Sequence, residues 1–288
     1  MKNLKLYTAI TYGLIWIVGL IFLLTGAEYH SAAGQLTAAA CMFFPLIATL
    51  ICQAVSHEPL FRNIGIHWKI NGWWAIGWLL MPVIAALTIL LNWCVNGAAF
   101  TTDTLAFNTI RESTHLPIWL FMVITLVSGL FAGITINALL AFGEEVGWRG
   151  YLLRQFSGQP FISSAIFIGI IWGLWHAPLI LLGHNYPQHP IAGVFCMMAM
   201  CIPLAIIIQY FRIKSGSVIV AAIMHGTFNA MAGAPLMFLN DYNDLVDGQT
   251  GIVGITVLVV VAFALFLYDR YGSKERLFTR PLDLEALK

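Results

Sequence analysis

Charge is what this chain has least of. Of its 288 residues only 9% are Asp, Glu, Lys or Arg, against about 25% in soluble domains. With 60% hydrophobic residues, a soluble globular protein is excluded and an integral membrane protein is expected. The net charge of +1 and the absence of any basic stripe argue against a nucleic-acid partner. Cysteine is equally uninformative for chemistry. Cys41, Cys52, Cys94, Cys196 and Cys201 are odd in number, form no CxxC pair and all fall in apolar stretches. They read as small core residues, neither a disulfide framework nor a thiol nucleophile.

Long apolar runs, by contrast, are abundant. A membrane-crossing helix needs about 20 apolar residues. Eight segments qualify: Leu6–Leu24, Leu36–Val55, Trp73–Val95, Ile118–Phe142, Phe161–Leu182, Ile191–Phe211, Val218–Leu236 and Ile252–Tyr268. Their length and lack of alternation predict an all-α integral membrane bundle of about eight transmembrane helices, not a barrel. The first is too long for a signal-peptide core and is counted as a span. With eight spans, thirteen of the fourteen Lys and Arg residues fall on one side and only Arg111 on the other. By the positive-inside rule both termini are cytoplasmic. A single polytopic domain over residues 1–288 is expected, with short loops and the longest, Asn96–Leu116, outside. Trp68, Trp73, Trp74 and Trp78 read as an interfacial aromatic belt. The loop Asn240–Gly248 resembles a calcium loop only faintly, lacks the terminal bidentate glutamate and reads as a solvated turn.

Against that apolar background a few polar residues stand out. Gly143-Glu144-Glu145-Val146-Gly147-Trp148-Arg149-Gly150 follows the apolar run from Pro117 to Phe142. An unpaired charge at the bilayer centre costs on the order of 2.5–3.5 kcal/mol, so three in eight residues demand pairing, water or a task. Glu145 and Arg149 are four apart and share a helix face, which predicts a mutual salt bridge. Glu144 is rotated about 100° away. That leaves Trp148, Leu140 and Ala141 as its near neighbours and leaves its carboxylate free for general acid–base work. Two other segments each carry an intramembrane histidine. In Trp172-Gly173-Leu174-Trp175-His176-Ala177-Pro178 the indole of Trp172 is expected to stack on His176, and Pro178 to free a backbone carbonyl. In His225-Gly226-Thr227-Phe228-Asn229 the two polar residues, four apart, can donate to one point, as an oxyanion site requires. Each pair taken alone could equally be helix–helix glue. Together they fit hydrolysis of a peptide bond by water held between Glu144 and His176.

Depth constrains this picture. His225 lies eleven residues from Lys214 and His176 thirteen from Ser163, hence about 16–20 Å inside the membrane. Glu144 reaches that depth only if its helix starts late, near Val127, and runs to Gln155. Gly143, Gly147 and Gly150 would let that helix approach its neighbours closely.

The pattern EExxxR, aromatic-xxxH, HxxxN, here Glu144-Glu145-xxx-Arg149, Trp172-xxx-His176 and His225-xxx-Asn229, resembles the CAAX prenyl protease 2-like family, also called CAAX proteases and bacteriocin-processing enzymes. The motif region covers about residues 117–232. The resemblance implies an eight-helix intramembrane endopeptidase open to the cytoplasm and acting on a membrane-associated protein or peptide. It implies Glu144 as base with His176, His225 and Asn229 at the oxyanion, and Glu145 and Arg149 in support. Many relatives have Phe where Trp172 stands. Short loops and the lack of a targeting tail fit a bacterial cell membrane, where a farnesylated substrate is not expected.

Zinc held by Glu144, His176 and His225 is the alternative to metal-free catalysis. No HExxH is present, the nearest string, His57-Glu58-Pro59-Leu60-Phe61, lacks the second histidine, and Asn229 is a poor zinc ligand. A glutamate-type site without a cofactor is therefore favoured. No GxSxG elbow occurs, Ser128-Gly129 has the wrong flanks for a serine nucleophile, and the only span-associated aspartate is Asp269, at an edge. Two other function classes compete. A proton-coupled transporter would use ionisable residues in spans but would favour internal repeats, and none is evident. A non-catalytic membrane partner or immunity protein could share the fold.

The charge asymmetry makes a direct prediction. An alkaline phosphatase fusion at the C-terminus should be inactive and a fluorescent-protein fusion there should fluoresce. The opposite pair of readings would reverse the topology.

Overall fold

The computed structural model describes residues 2–283, so Lys288 of the charge count lies outside the described residues. Thirteen α-helices among these residues are numbered in chain order: α1 Lys2–Thr25, α2 Ala32–Cys41, α3 Phe44–Val55, α4 Gly72–Asn96, α5 Leu105–Thr114, α6 Ile118–Ile134, α7 Ile136–Glu145, α8 Leu153–Gln155, α9 Phe161–Trp175, α10 Ala177–Ile180, α11 Pro190–Ser215, α12 Val218–Met231 and α13 Ile252–Tyr271. Among the described residues there is no strand. Local chemistry sets several helix ends. The side chains of Ser31, Asn71, Thr104 and Ser217 cap α2, α4, α5 and α12 by accepting from the N–H of Gly34, Trp73, Phe107 and Ile219. Gly216, left-handed at φ 73°, stops α11 and turns the chain into α12.

Every apolar run expected to cross the membrane contains helix, but the runs are not equivalent. Among the described residues six helical stretches are long and apolar enough to cross alone, with α2 and α3 acting as one; α5 and α6, bent by 99°, would make a seventh. The run Phe161–Leu182 yields only the 15-residue helix α9 and the single turn α10, joined at His176. At 1.5 Å per residue α9 spans about 22 Å, short of the roughly 30 Å apolar layer. Part of the expected outer loop is helical: α5 projects Phe107 into a cluster with Phe121 and Phe238.

Two local expectations need correction. The glutamate helix does run to Gln155, but it begins at Ile136, not near Val127. The break falls at Thr135, whose φ −113° and ψ −102° lie outside the helical region. The loop before α13 is not a solvated turn. Asp244 and Asp247 are buried, and their carboxylates accept from the N–H of Gln188 (2.6 Å) and Asn243 (2.9 Å). Cys94 also departs from the core reading, being exposed on α4, while Cys41, Cys52 and Cys201 are buried.

Glycines bring the motif-bearing helices together. A β-carbon on Gly147 would meet Pro45 and the Tyr7 hydroxyl at 2.4 Å, and one on Gly143 would meet the Met42 carbonyl at 2.7 Å. The close approach expected of Gly143, Gly147 and Gly150 is therefore made against α3, the α2–α3 joint, Tyr7 of α1 and Ile64. On the other side Gly226 of α12 lies against α7, where a β-carbon would sit 2.5 Å from the Ala138 nitrogen and 2.6 Å from the Asn137 carbonyl carbon. Gly169 and Gly173 seat α9 against Ile202 and Met198 of α11 in the same way.

Backbone atoms cannot yield as a flexible side chain would. Gly226→Val should therefore lower the thermal unfolding midpoint of the detergent-purified protein by the equivalent of about 1–3 kcal/mol. An unchanged midpoint would show that α7 and α12 are not in close contact.

Candidate active site

The two glutamates end α7, and the chain continues without a break as a seven-residue π-helix, Val146–Leu152. Such wider turns are rare and are concentrated at functional sites. All seven residues of this segment are buried. The Glu145–Arg149 ion pair expected from i,i+4 spacing forms at 2.8 Å with both side chains fully buried. The other interaction of Glu145 was not legible in its own segment: its Oε1 also faces Nδ1 of His225 at 2.9 Å. A carboxylate paired with a guanidinium can only accept, so Nδ1 of His225 donates and Nε2 is left to face elsewhere.

Glu144 takes a different set of partners. Its Oε2 accepts from the indole N–H of Trp172 at 2.7 Å and of Trp148 at 3.2 Å. Both donors converge on one oxygen and leave Oε1 for other contacts. Trp148 was in view as a neighbour in sequence, whereas the donation from Trp172 comes from another helix, 28 residues on. The expected stacking of Trp172 on His176 is not observed. The rings are 6.1 Å apart and tilted by 52°. Trp172 instead lies beneath the Arg149 guanidinium, 4.3 Å from its centroid, and meets His225 edge-on at 5.1 Å. Pairing with a cation and donating to a carboxylate together hold the indole more firmly than stacking on a neutral imidazole would.

The joint between α9 and α10 explains the orientation of His176. Its backbone N–H bonds to the Gly173 carbonyl at 3.2 Å, a tighter turn than the α-helix makes. The Trp172 carbonyl is thereby free to face the His176 Nδ1 at 2.8 Å. A carbonyl only accepts, so the proton sits on Nδ1 and Nε2 carries the lone pair. The freed carbonyl foreseen near Pro178 is thus used to fix a tautomer. Trp175 touches His176 edge-on at 4.9 Å and anchors its own N–H on the Thr11 carbonyl of α1.

Glu144, His176, His225 and Asn229 all line one cavity of about 380 Å³. Glu145 and Arg149 lie behind its wall, completely buried. The three motifs of the sequence therefore meet, with Asn229 the exposed member. Two lining residues had no signal in the sequence. His184 lies parallel to His176 with ring centroids 6.4 Å apart, and its Nδ1 pairs with the Tyr29 hydroxyl at 2.6 Å. Both belong to connections between helices, where no periodic pattern marks them.

The residues named for zinc, Glu144, His176 and His225, share the cavity. Among the described residues no three His, Cys, Asp or Glu side chains are grouped to hold an ion. His225 spends Nδ1 on Glu145, His176 spends Nδ1 on a carbonyl, and Glu144 spends Oε2 on two indoles. These contacts leave Nε2 of both histidines and Oε1 of Glu144 unspent, and such support of the other ring nitrogen suits a metal ligand as well as a metal-free acid–base group.

Comparison with known proteins agrees with the motif reading. Residues 119–231 match the family model described as Type II CAAX prenyl endopeptidase Rce1-like, nearly the same segment as the 117–232 core marked by the motifs. The curated CAAX prenyl protease 2 of Methanococcus maripaludis is 29% identical over 206 residues, covering 69% of this chain. The alignment takes in 66% of that protein, just under two thirds of its length. The segment that carries Glu144, His176, His225 and Asn229 is thus the part of this chain that is similar to the Rce1-like CAAX prenyl endopeptidases.

Proposed function

We propose that this chain is an intramembrane endopeptidase that cuts a membrane-associated protein or peptide with water activated by Glu144 and His176. The observation that carries the reading is the convergence of Glu144, His176, His225 and Asn229 on one cavity, although they come from three separate helical segments. Chemistry that consumes water inside an apolar layer needs such a pocket, and few polar residues are available elsewhere in the bundle.

The reaction can be written from the chain's own groups. A water in the cavity donates one hydrogen bond to Glu144 Oε1 and the other to His176 Nε2, the two open acceptors. Glu144 takes the first proton as the water oxygen attacks the carbonyl carbon of the scissile bond. The tetrahedral oxyanion is held by the Asn229 amide N–H and, with His225 doubly protonated, by its Nε2–H. With His225 so protonated, Glu144 and Glu145 balance Arg149 and His225 before attack; once Glu144 holds the proton, the oxyanion carries the second negative charge, so the buried group stays neutral overall. Collapse of the intermediate breaks the C–N bond as Glu144 returns its proton to the leaving nitrogen. Trp148 and Trp172 hold the carboxylate in place throughout. The matched relative is named for prenylated CAAX substrates. For this chain the reading extends only to a peptide bond held at the membrane.

Glu144→Gln retains an oxygen that can accept both indoles and should remain folded. We expect it to lower the cleavage rate of the purified protein by roughly 10²–10⁴-fold, and Asn229→Ala to lower it by roughly 10²–10³-fold. Near-normal turnover in Glu144→Gln, with an unfolding midpoint matching the parent, would end the hydrolase reading and favour a non-catalytic role.

Because the mechanism uses no ion, cleavage should persist after treatment with a strong zinc chelator. Activity lost to the chelator and recovered with zinc would replace this mechanism with a metal-dependent one.

A further inference from the structure

The two ends of the bundle are defined by contacts between connections. At one end Asn3 bonds to Ser56 (2.6 Å), Arg154 to Glu58 (2.5 Å), Lys214 to Glu275 (3.0 Å) and the Leu282 N–H to the Gln159 carbonyl (2.8 Å). This end carries the first residues of α1 and the chain that follows α13. At the other end Tyr29 pairs with His184 (2.6 Å), Tyr186 donates to the Thr250 carbonyl (2.7 Å), and His189 pairs with Asp244 (2.7 Å).

The cavity runs from Glu144 toward the second end. Tyr29, His184, Asn185 and Thr250 all line it, and each sits on a connection at that end. No residue of the contacts that mark the first end lines it. Its exposed lining residues are Gln35, Asn185 and Asn229. All three are carboxamides, which can donate to and accept from an extended peptide backbone. Glu144 is the only Asp, Glu, Lys or Arg in the lining, so nothing at the mouth selects a charged segment.

Basic residues mark the same two ends. Lys5, Arg62, Lys69, Lys214, Arg270, Lys274, Arg276 and Arg280 belong to the first end, while Arg111 is the one Lys or Arg on a connection at the cavity end among the described residues. The positive-inside rule therefore places the first end in the cytoplasm. The family resemblance implied a site open to the cytoplasm. These two expectations are incompatible with one another once the cavity is seen to open away from the basic end.

We propose that the cavity admits its substrate from the non-cytoplasmic side of the membrane, through the mouth formed by Gln35, Asn185 and Asn229. The bond cut is then one presented on that face, in an exported peptide or in the outward-facing segment of a membrane-anchored protein. A cytosolic C-terminal tail would not reach it. The substrate part rests on the hydrolase reading above, while the orientation of the mouth does not.

Cysteine labelling separates the two sides. In a chain whose five native cysteines are replaced by alanine, Gln35→Cys at the mouth should react with a membrane-impermeant maleimide in intact cells. Ser157→Cys, exposed at the other end, should react only after permeabilisation. Gln35→Cys that labels only after permeabilisation, with Ser157→Cys labelled in intact cells, would overturn the proposal. If the cysteine-free chain does not accumulate, an epitope at the C-terminus of the native chain gives the same answer. Antibody access only after permeabilisation supports the proposal, and access in intact cells refutes it. Both readouts report orientation alone, so they can fail while the Glu144→Gln result stands, and the reverse.

Discussion

The Glu145 carboxylate is the constraint on which the site depends. It has no access to solvent and accepts from Arg149 in its own segment and from His225 on α12. Arg149 in turn covers the face of Trp172 on α9, and the Trp172 indole N–H holds Glu144. One chain of interactions therefore passes through three helical segments and closes at the residue next to its origin. Ion pairs of this kind add little net stability, because removing the charges from water costs about as much as their attraction returns. Their effect is on position. Losing any one partner would leave a buried charge unpaired, at about 3–5 kcal/mol, so the alternatives to this arrangement are disfavoured more than the arrangement itself is favoured.

That network divides the work between adjacent glutamates. Glu145 meets Arg149 and His225 through Oε1 and lies behind the cavity wall. Glu144, turned away from the cations, is held by two neutral N–H groups and borders the cavity. Two indole N–H donors fix the Glu144 carboxyl in position without a bonded cation that would quench it as a base. The His176 imidazole is oriented by the backbone of its own helix joint, and the His225 imidazole by Glu145. Each histidine thus spends Nδ1 on a fixed acceptor and keeps Nε2 free of that contact.

Such precision requires backbones close together. In an apolar solvent helices gain nothing from burying apolar surface against each other, and association relies on fit and hydrogen bonding. Gly226 against α7, Gly147 against Pro45 and Gly173 against Met198 supply the fit around the site. The break at Thr135 serves the same end. It separates α7, which ends in the two glutamates and packs against Gly226 of α12, from α6.

Much of this was legible in the sequence. The apolar runs reflect the roughly 30 Å apolar layer of a bilayer, which sets the length of most of them regardless of packing, α9 being the short exception. The i,i+4 pairing of Glu145 with Arg149 follows from helix geometry alone, and the rarity of polar residues in the spans pointed to Glu144, His176, His225 and Asn229. What the sequence could not reveal are contacts whose partners lie far apart in the chain. Trp172 reached Glu144 and Arg149 where stacking on His176 was expected, and Glu145 acquired His225 as a second partner. His184 and Tyr29 entered the cavity lining from connections with no periodic pattern. The direction in which the cavity opens belongs to the same class. Charge along the chain assigns each end of the bundle to a side of the membrane, but only the packed helices decide which end the polar faces look toward, because that depends on how every helix is rotated against its neighbours.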